Sequence, residues 1–337
     1  MGAVYRAETP EGQVVALKIV NLAASSDSRA ERRFAREVES SSRIQSPYVA
    51  RTLESGRLAD SGLAWVALEF AEGVGLDELV RSRGGLSAPG ARALLEPVFG
   101  ALGAAHREGI VHRDLKPENV RVQADGDAQG LKVSSVKVLD FGIAKDVTAG
   151  PLSGTTPGLG TPLWTAPEQA REDYVPVSSS DVWALGLLTF FVLTGASYWR
   201  NADERASMAD LAIELLKSDI DGASARASEL GLAALPSGFD AWFARAVDRE
   251  PARRFADAAA AWAALEPLLS ARSTAIQPQS GSAGVSPAPS GRGVSAAREP
   301  LERPSVVVRP LGFITLVIAS CVLAGLCIYW LLRGMHI

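Results

Sequence analysis

Apolar residues fall into two regimes along the chain. Up to residue 70 they form short β-branched or alternating runs. Val14–Val20, Thr52–Gly56 and Leu63–Phe70 read as strands, with a turn at Asp60-Ser61-Gly62 between the last two. One helix interrupts them, Ala30–Ile44, in which Phe34, Val38 and Ile44 keep apolar spacing among Arg and Glu. Beyond residue 70 the helical period takes over. Leu76–Arg83 and Ala88–Glu108 read as helices, the second with Leu94, Leu95, Val98, Leu102 and Ala105 on its apolar face and a stop at Gly109. Val120–Val122 and Val136–Leu139 predict a strand pair, separated by a Gly-, Asp- and Ser-rich surface insertion, Gln123–Ser135, of little entropic cost. Acidic and Ala-rich helices follow between Ala196 and Gly238, and the helical signal fades near Leu268.

The C-terminal fifth changes character. Residues 271–310 are dominated by Ser, Pro, Gly, Ala and Arg, which predicts a disordered linker. Leu311–Leu332 then carries no charged residue. As a helix it spans roughly 33 Å, enough to cross a bilayer core, and a transmembrane span fits better than a buried core helix. A short tail, 333–337, follows. Arg292, Arg298, Arg303 and Arg309 precede the span and Arg333 alone follows it, so the positive-inside rule puts the large N-terminal portion in the cytoplasm, on a single-pass inner-membrane protein. Phe313 and Tyr329-Trp330 suit the two interfaces, and Ser320 with Ala324 offers a small-residue contact for a homodimer.

Composition narrows the function. A net charge of −4 over 337 residues gives no basic field for nucleic acid, and no zinc spacing occurs. Both cysteines, Cys321 and Cys327, lie in the apolar span, so a disulfide framework is excluded. Arg6, Glu8 and Glu11 break any N-terminal signal peptide.

The chemistry concentrates in His112-Arg113-Asp114-Leu115-Lys116-Pro117-Glu118-Asn119 and, downstream, Asp140-Phe141-Gly142. Asp114 can accept a proton from a hydroxyl nucleophile, and Lys116 can neutralise charge on a phosphoryl group in transfer. Asn119 and Asp140 supply hard oxygen ligands for Mg²⁺, with Mn²⁺ as an alternative. A polar loop between two strands, with Asp and Asn making turns, is the plainer alternative. Eight consecutive matching positions and the second acidic motif argue against it.

These motifs resemble the protein kinase family, and within it the eukaryotic-like Ser/Thr kinases of bacteria, over roughly residues 1 to 268. The resemblance implies an α+β, two-lobed kinase fold: a β-rich N-lobe (1–70) lacking its first strand, a helical C-lobe (71–268), and ATP and protein Ser/Thr hydroxyls as substrates. Only Gly2 stands for the family's glycine-rich loop, and Met1 falls in mid-motif, which suggests a truncated start. On the same basis Gly2, Val4, Ala16 and Val122 are expected against the nucleotide, with Leu68 guarding the adenine pocket and the Glu69 and Ala71 backbones bonded to adenine. Lys18 is expected on the α/β-phosphates and paired with Glu37, whose alternative is a solvated helix face. Thr161, in Gly160-Thr161-Pro162, is expected to bridge Asp114 and Lys116. Glu168, in Ala166-Pro167-Glu168, should pair with Arg254, and Asp181 should brace the catalytic-loop backbone. Arg113 implies that a phosphate on Thr155 or Thr156 orders the activation segment. His112 has no second His nearby in sequence and reads as a packed core histidine.

Two other functions remain open at this point. A kinase-like scaffold would bind partners without transferring phosphate, and its support is the short glycine-rich loop. A small-molecule phosphotransferase would share the Asp/Asn/Asp core but has no reason to carry Thr161 and Ala166-Pro167-Glu168.

Overall fold

The computed structural model describes residues 2–21, 28–58, 63–126, 130–141, 163–171, 173–202 and 207–270. Gly142, Thr155, Thr156, Thr161, the linker and the apolar span lie outside the described residues. Among the described residues no helix is long and apolar enough to cross a membrane.

The first lobe is an antiparallel sheet of β1 (Gly2–Glu8), β2 (Val14–Asn21), β3 (Thr52–Leu58) and β4 (Leu63–Glu69) in the order β1-β2-β4-β3. Period-2 alternation puts Val20, Ala64, Val66 and Leu68 on the face against α1 (Ser28–Ser42), where Phe34 and Val38 complete a small core. Ile44, predicted on the apolar face of α1, lies past the helix end and packs instead into the core of the second lobe. Gly56 is required on β3 because the Trp65 ring of β4 crosses it: a Cβ there would sit 2.7 Å from the indole.

The second lobe opens with β5 (Val74–Gly75), α2 (Leu76–Arg83) and α3 (Ala88–Arg107). Ser87 caps α3 by accepting the Gly90 N–H, and Gly84 ends α2 at φ 70°. A short sheet pairs β5, β6 (Val120–Asp125) and β7 (Lys132–Val138) in that order. The predicted insertion is thus mostly strand. Ladder pairs run from Val120–Val138 to Asp125–Lys132, because Gln123 and Ser135 can bond across the hairpin whatever their polarity.

Helix α4 (Ser178–Thr194) is apolar on nearly every face, and almost all of it is buried. Around it pack α3, α7 (Phe239–Ala246) and α8 (Ala258–Ser270), while α5 (Met208–Leu216) and α6 (Ala223–Glu229) cover the stretch after Gly195. The resulting core is far larger than that of the first lobe and carries Phe99, Trp183, Phe190, Phe239 and Phe243 at 1 % exposure or less.

Candidate active site

The loop between α3 and β6 brings the predicted groups together. A one-turn 3-10 helix, Pro117–Asn119, buries Asn119, whose side-chain N–H₂ donates to the Asp114 carbonyl (2.8 Å) and to Asp114 Oδ2 (3.3 Å). Its amide oxygen is the group left to meet a cation. Lys116 Nζ lies 3.2 Å from the same Asp114 oxygen, and both side chains are about one-third exposed at 34 % and 35 %. A hydroxyl can therefore reach Asp114 from solvent, with a cation beside it.

The loop backbone is held under constraint. Arg113 has φ 64° and Asp140 φ 57°, left-handed values that cost a non-glycine residue energy and persist only where neighbours enforce them. The enforcement at Arg113 comes from both sides. Asp181, 1 % exposed at the start of α4, accepts the Arg113 N–H on Oδ1 (2.9 Å) and the His112 N–H on Oδ2 (2.7 Å). Gln169 donates to the Arg113 carbonyl (2.9 Å), while its own oxygen accepts the Ala166 N–H.

His106 holds Asp181 in turn. Its Nδ1 accepts the Ala258 N–H (3.1 Å), so the proton sits on Nε2, which donates to Asp181 Oδ2 (2.9 Å). Neither His106 nor Gln169 was singled out from sequence. The available signals were weak: a His near the end of an apolar helix, and a polar residue directly after Ala166-Pro167-Glu168.

His112 is the packed histidine expected. It is fully buried against the Phe141 ring (4.6 Å between centroids), donates from Nε2 to the Leu139 carbonyl (2.8 Å), and accepts the Asp114 N–H on Nδ1 (3.3 Å). Burial lowers its pKa, against opposing pulls from Asp181, the Leu139 carbonyl, Asp114 and Asp140, so the ring is neutral.

Across the cleft, Lys18 on β2 reaches Asp140 Oδ1 at 2.8 Å. This corrects the expected partner: no Lys18–Glu37 ion pair forms among the described residues. Lys18 is 8 % exposed, and the Asp140 carboxylate at the end of β7 is the anion within its reach, while Glu37 is half-buried on α1. Val4 lies directly opposite Lys18 in the β1–β2 ladder, Ala16 is paired with Arg6, and Gly2 with Val20. The side chains of Val4, Lys18 and Ala16 therefore share the sheet face that carries Lys18 toward Asp140. The backbone of Ala71, between the lobes, makes no hydrogen bond among the described residues, whereas the Glu69 N–H donates to the Arg51 carbonyl (2.8 Å). A free N–H and C=O at this point suit the edge of a planar base.

Val122 is 1 % exposed and packs in the large core with Val120, and period-2 alternation puts Arg121 on the opposite face of β6.

Beneath the site, Glu168 and Arg254 form a bidentate pair, Nη1–Oε1 2.7 Å and Nη2–Oε2 2.7 Å, with Ser180 Oγ donating to Glu168 Oε1 (2.7 Å). Arg254 also donates to the carbonyls of Asp248 and Ser179 and lies over the Trp183 ring. Burial pushes the Glu168 pKa up, but the bonds from Arg254 and Ser180 and the Arg254 charge outweigh it, and the net direction is down. Thr155, Thr156 and Thr161 lie outside the described residues.

With this geometry in place, similarity to known proteins decides the family. The family model of the protein kinase domain matches residues 1–257. The chain belongs to the protein kinase family. The serine/threonine-protein kinase PknL of Mycobacterium tuberculosis is 34 % identical over 254 residues, which cover 75 % of this chain and 59 % of PknL. The serine/threonine-protein kinase AfsK of Streptomyces coelicolor is 36 % identical over 195 residues, 58 % of this chain and 23 % of AfsK. The crystal structure of the Mycobacterium tuberculosis PknI kinase domain superposes with a TM-score of 0.57 at 25 % identity, over 80 % of this chain and 91 % of that domain. The chain thus spans well under two-thirds of the length of the curated relatives it matches.

Proposed function

We propose that this chain is a protein Ser/Thr kinase that transfers the γ-phosphoryl group of ATP to hydroxyls of protein substrates. The supporting observation is the gathering of Asp114, Lys116 and Asn119 in one hydrogen-bonded loop, with Lys18 of the other lobe on Asp140. Asp114 orients the acceptor hydroxyl and takes its proton. Lys116 and Lys18 offset negative charge on either side of the transferred group. Asn119 and Asp140 would hold Mg²⁺, or Mn²⁺, a hard cation that would offset negative charge on the phosphoryl group when bound. Positioning and charge neutralisation supply most of the rate; proton transfer supplies less.

The same proposal includes a C-terminal tether. Leu311–Leu332 crosses the inner membrane, 271–310 links it to the kinase domain, that domain faces the cytoplasm, and the span offers a contact between two copies. Phosphate on Thr155 or Thr156 activates the enzyme through Arg113.

Phosphate incorporation from ATP into a generic basic protein tests the activity. Asp114→Asn is expected to lower turnover by about 10²–10⁴-fold. Equal incorporation by both proteins would refute the assignment.

A further inference from the structure

Two cations rise from the short sheet of the second lobe directly under the segment that joins the lobes. Arg121 on β6 and Lys137 on β7 are a cross-strand pair, so both side chains stand on the cleft face, where like charges opposed at this distance repel. Each is drawn to an acceptor at a different end of the connecting segment. Lys137 Nζ lies 2.7 Å from Glu69 Oε1, and Arg121 donates to the Gly73 carbonyl. The other Glu69 oxygen accepts both the backbone N–H (3.2 Å) and Nε (3.3 Å) of Arg51, ahead of β3. One carboxylate thus joins three pieces of chain: the end of β4, the entry to β3 and the sheet of the other lobe. Glu69 and Lys137 are 25 % and 19 % exposed, so water screens this pair less than a surface ion pair. Burial raises the Glu69 pKa, but the bonds from Lys137 and Arg51 outweigh it and leave it lowered, so the carboxylate is charged at neutral pH.

We infer that Lys137, with Arg121, is a positioning residue that fastens residues 69–73 to the second lobe and thereby holds the Ala71 backbone ready for the nucleotide base. The inference rests on the kinase assignment for its ligand, though not for its geometry. A pre-held connecting segment has less freedom to lose when the base binds, so the fastening acts on nucleotide affinity rather than on the chemical step.

The test uses the full chain and two substitutions. Lys137→Met keeps the aliphatic stem and removes the charge, and Lys137→Arg restores a cation. Lys137→Met is expected to raise the KM for ATP about threefold to tenfold with kcat within about twofold, and Lys137→Arg to return KM toward wild type. Hydrogen exchange over residues 68–74 supplies a readout that needs no turnover: Lys137→Met should speed it and Lys137→Arg should not. Unchanged exchange in Lys137→Met, or a fall in kcat with KM unmoved, overturns the inference. A wild-type protein that binds no ATP would sink the kinase assignment instead, and the exchange comparison would still decide the fastening.

Discussion

The two lobes place their functional side chains by different means. In the second lobe, Asp114 and Asn119 stand on a loop braced by a buried carboxylate, Asp181, which is itself braced by His106, all backed by a large aromatic core. In the first lobe, Lys18 stands on a strand backed by six buried apolar side chains and one helix. Its fixed partner, Asp140, belongs to the other lobe. One side of the cleft is a platform, and the other is a lid whose key group is positioned by a contact across the gap. The proposed phosphoryl transfer would suit this division, because an acceptor and a base must be fixed while a nucleotide has to enter and leave.

The sharpest way to break the comparison is to remove one buried charge from each region. Arg254→Met strands the Glu168 carboxylate inside the platform and is expected to cost about 3–5 kcal/mol of unfolding free energy, read by denaturant titration. Lys18→Met leaves Asp140 with access to water at 31 % exposure and should cost less than about 1 kcal/mol, while phosphate transfer is lost. Equal destabilisation by the two would dissolve the distinction.

A smaller effect separates bracing from packing. In Asp181→Asn an N–H₂ group replaces an oxygen that accepts an N–H, so the loop loses a bond and gains a clash of donors. A loss of about 1–3 kcal/mol is expected, together with reduced turnover. If stability falls with turnover intact, Asp181 serves folding alone.

The pH dependence is the mildest probe. His112 is buried and neutral with a depressed pKa, so its contribution to stability is complete above its ordinary value of 6.5 and is lost as pH falls through the window beneath it. Glu168, also depressed, adds a second loss below its ordinary 4.5. The denaturation midpoint should decline from about pH 7 toward pH 5, and His112→Gln should flatten that decline. A flat wild-type profile would contradict the buried neutral ring.

Sequence made the platform far more legible than its supports. The groups proposed to do the chemistry lie within eight consecutive residues and one later Asp, where spacing and residue type carry the meaning. Asp181, Glu168 and Arg254 were reached through the family resemblance, and their contacts follow that expectation. His106, Gln169 and Lys137 act through partners distant in sequence, and local pattern does not encode such contacts. Lys18 was assigned to Glu37 because both fit the family pattern, yet a cleft-facing ammonium pairs with whichever carboxylate the relative placement of the lobes brings closest. The β6–β7 hairpin extends beyond the predicted strand pair because Ser, Gln and Lys satisfy a ladder with backbone groups that composition does not reveal.

Everything depends on one cleft holding a nucleotide's phosphates through a cation on Asp140 and Asn119. Calorimetric titration of the full chain with ATP, with and without Mg²⁺, tests this most directly, with Asp140→Asn alongside. The account predicts binding that strengthens when Mg²⁺ is present in the wild type and loses most of that gain in Asp140→Asn. Affinity indifferent to Mg²⁺ in both proteins, or no ATP bound by either, would contradict it.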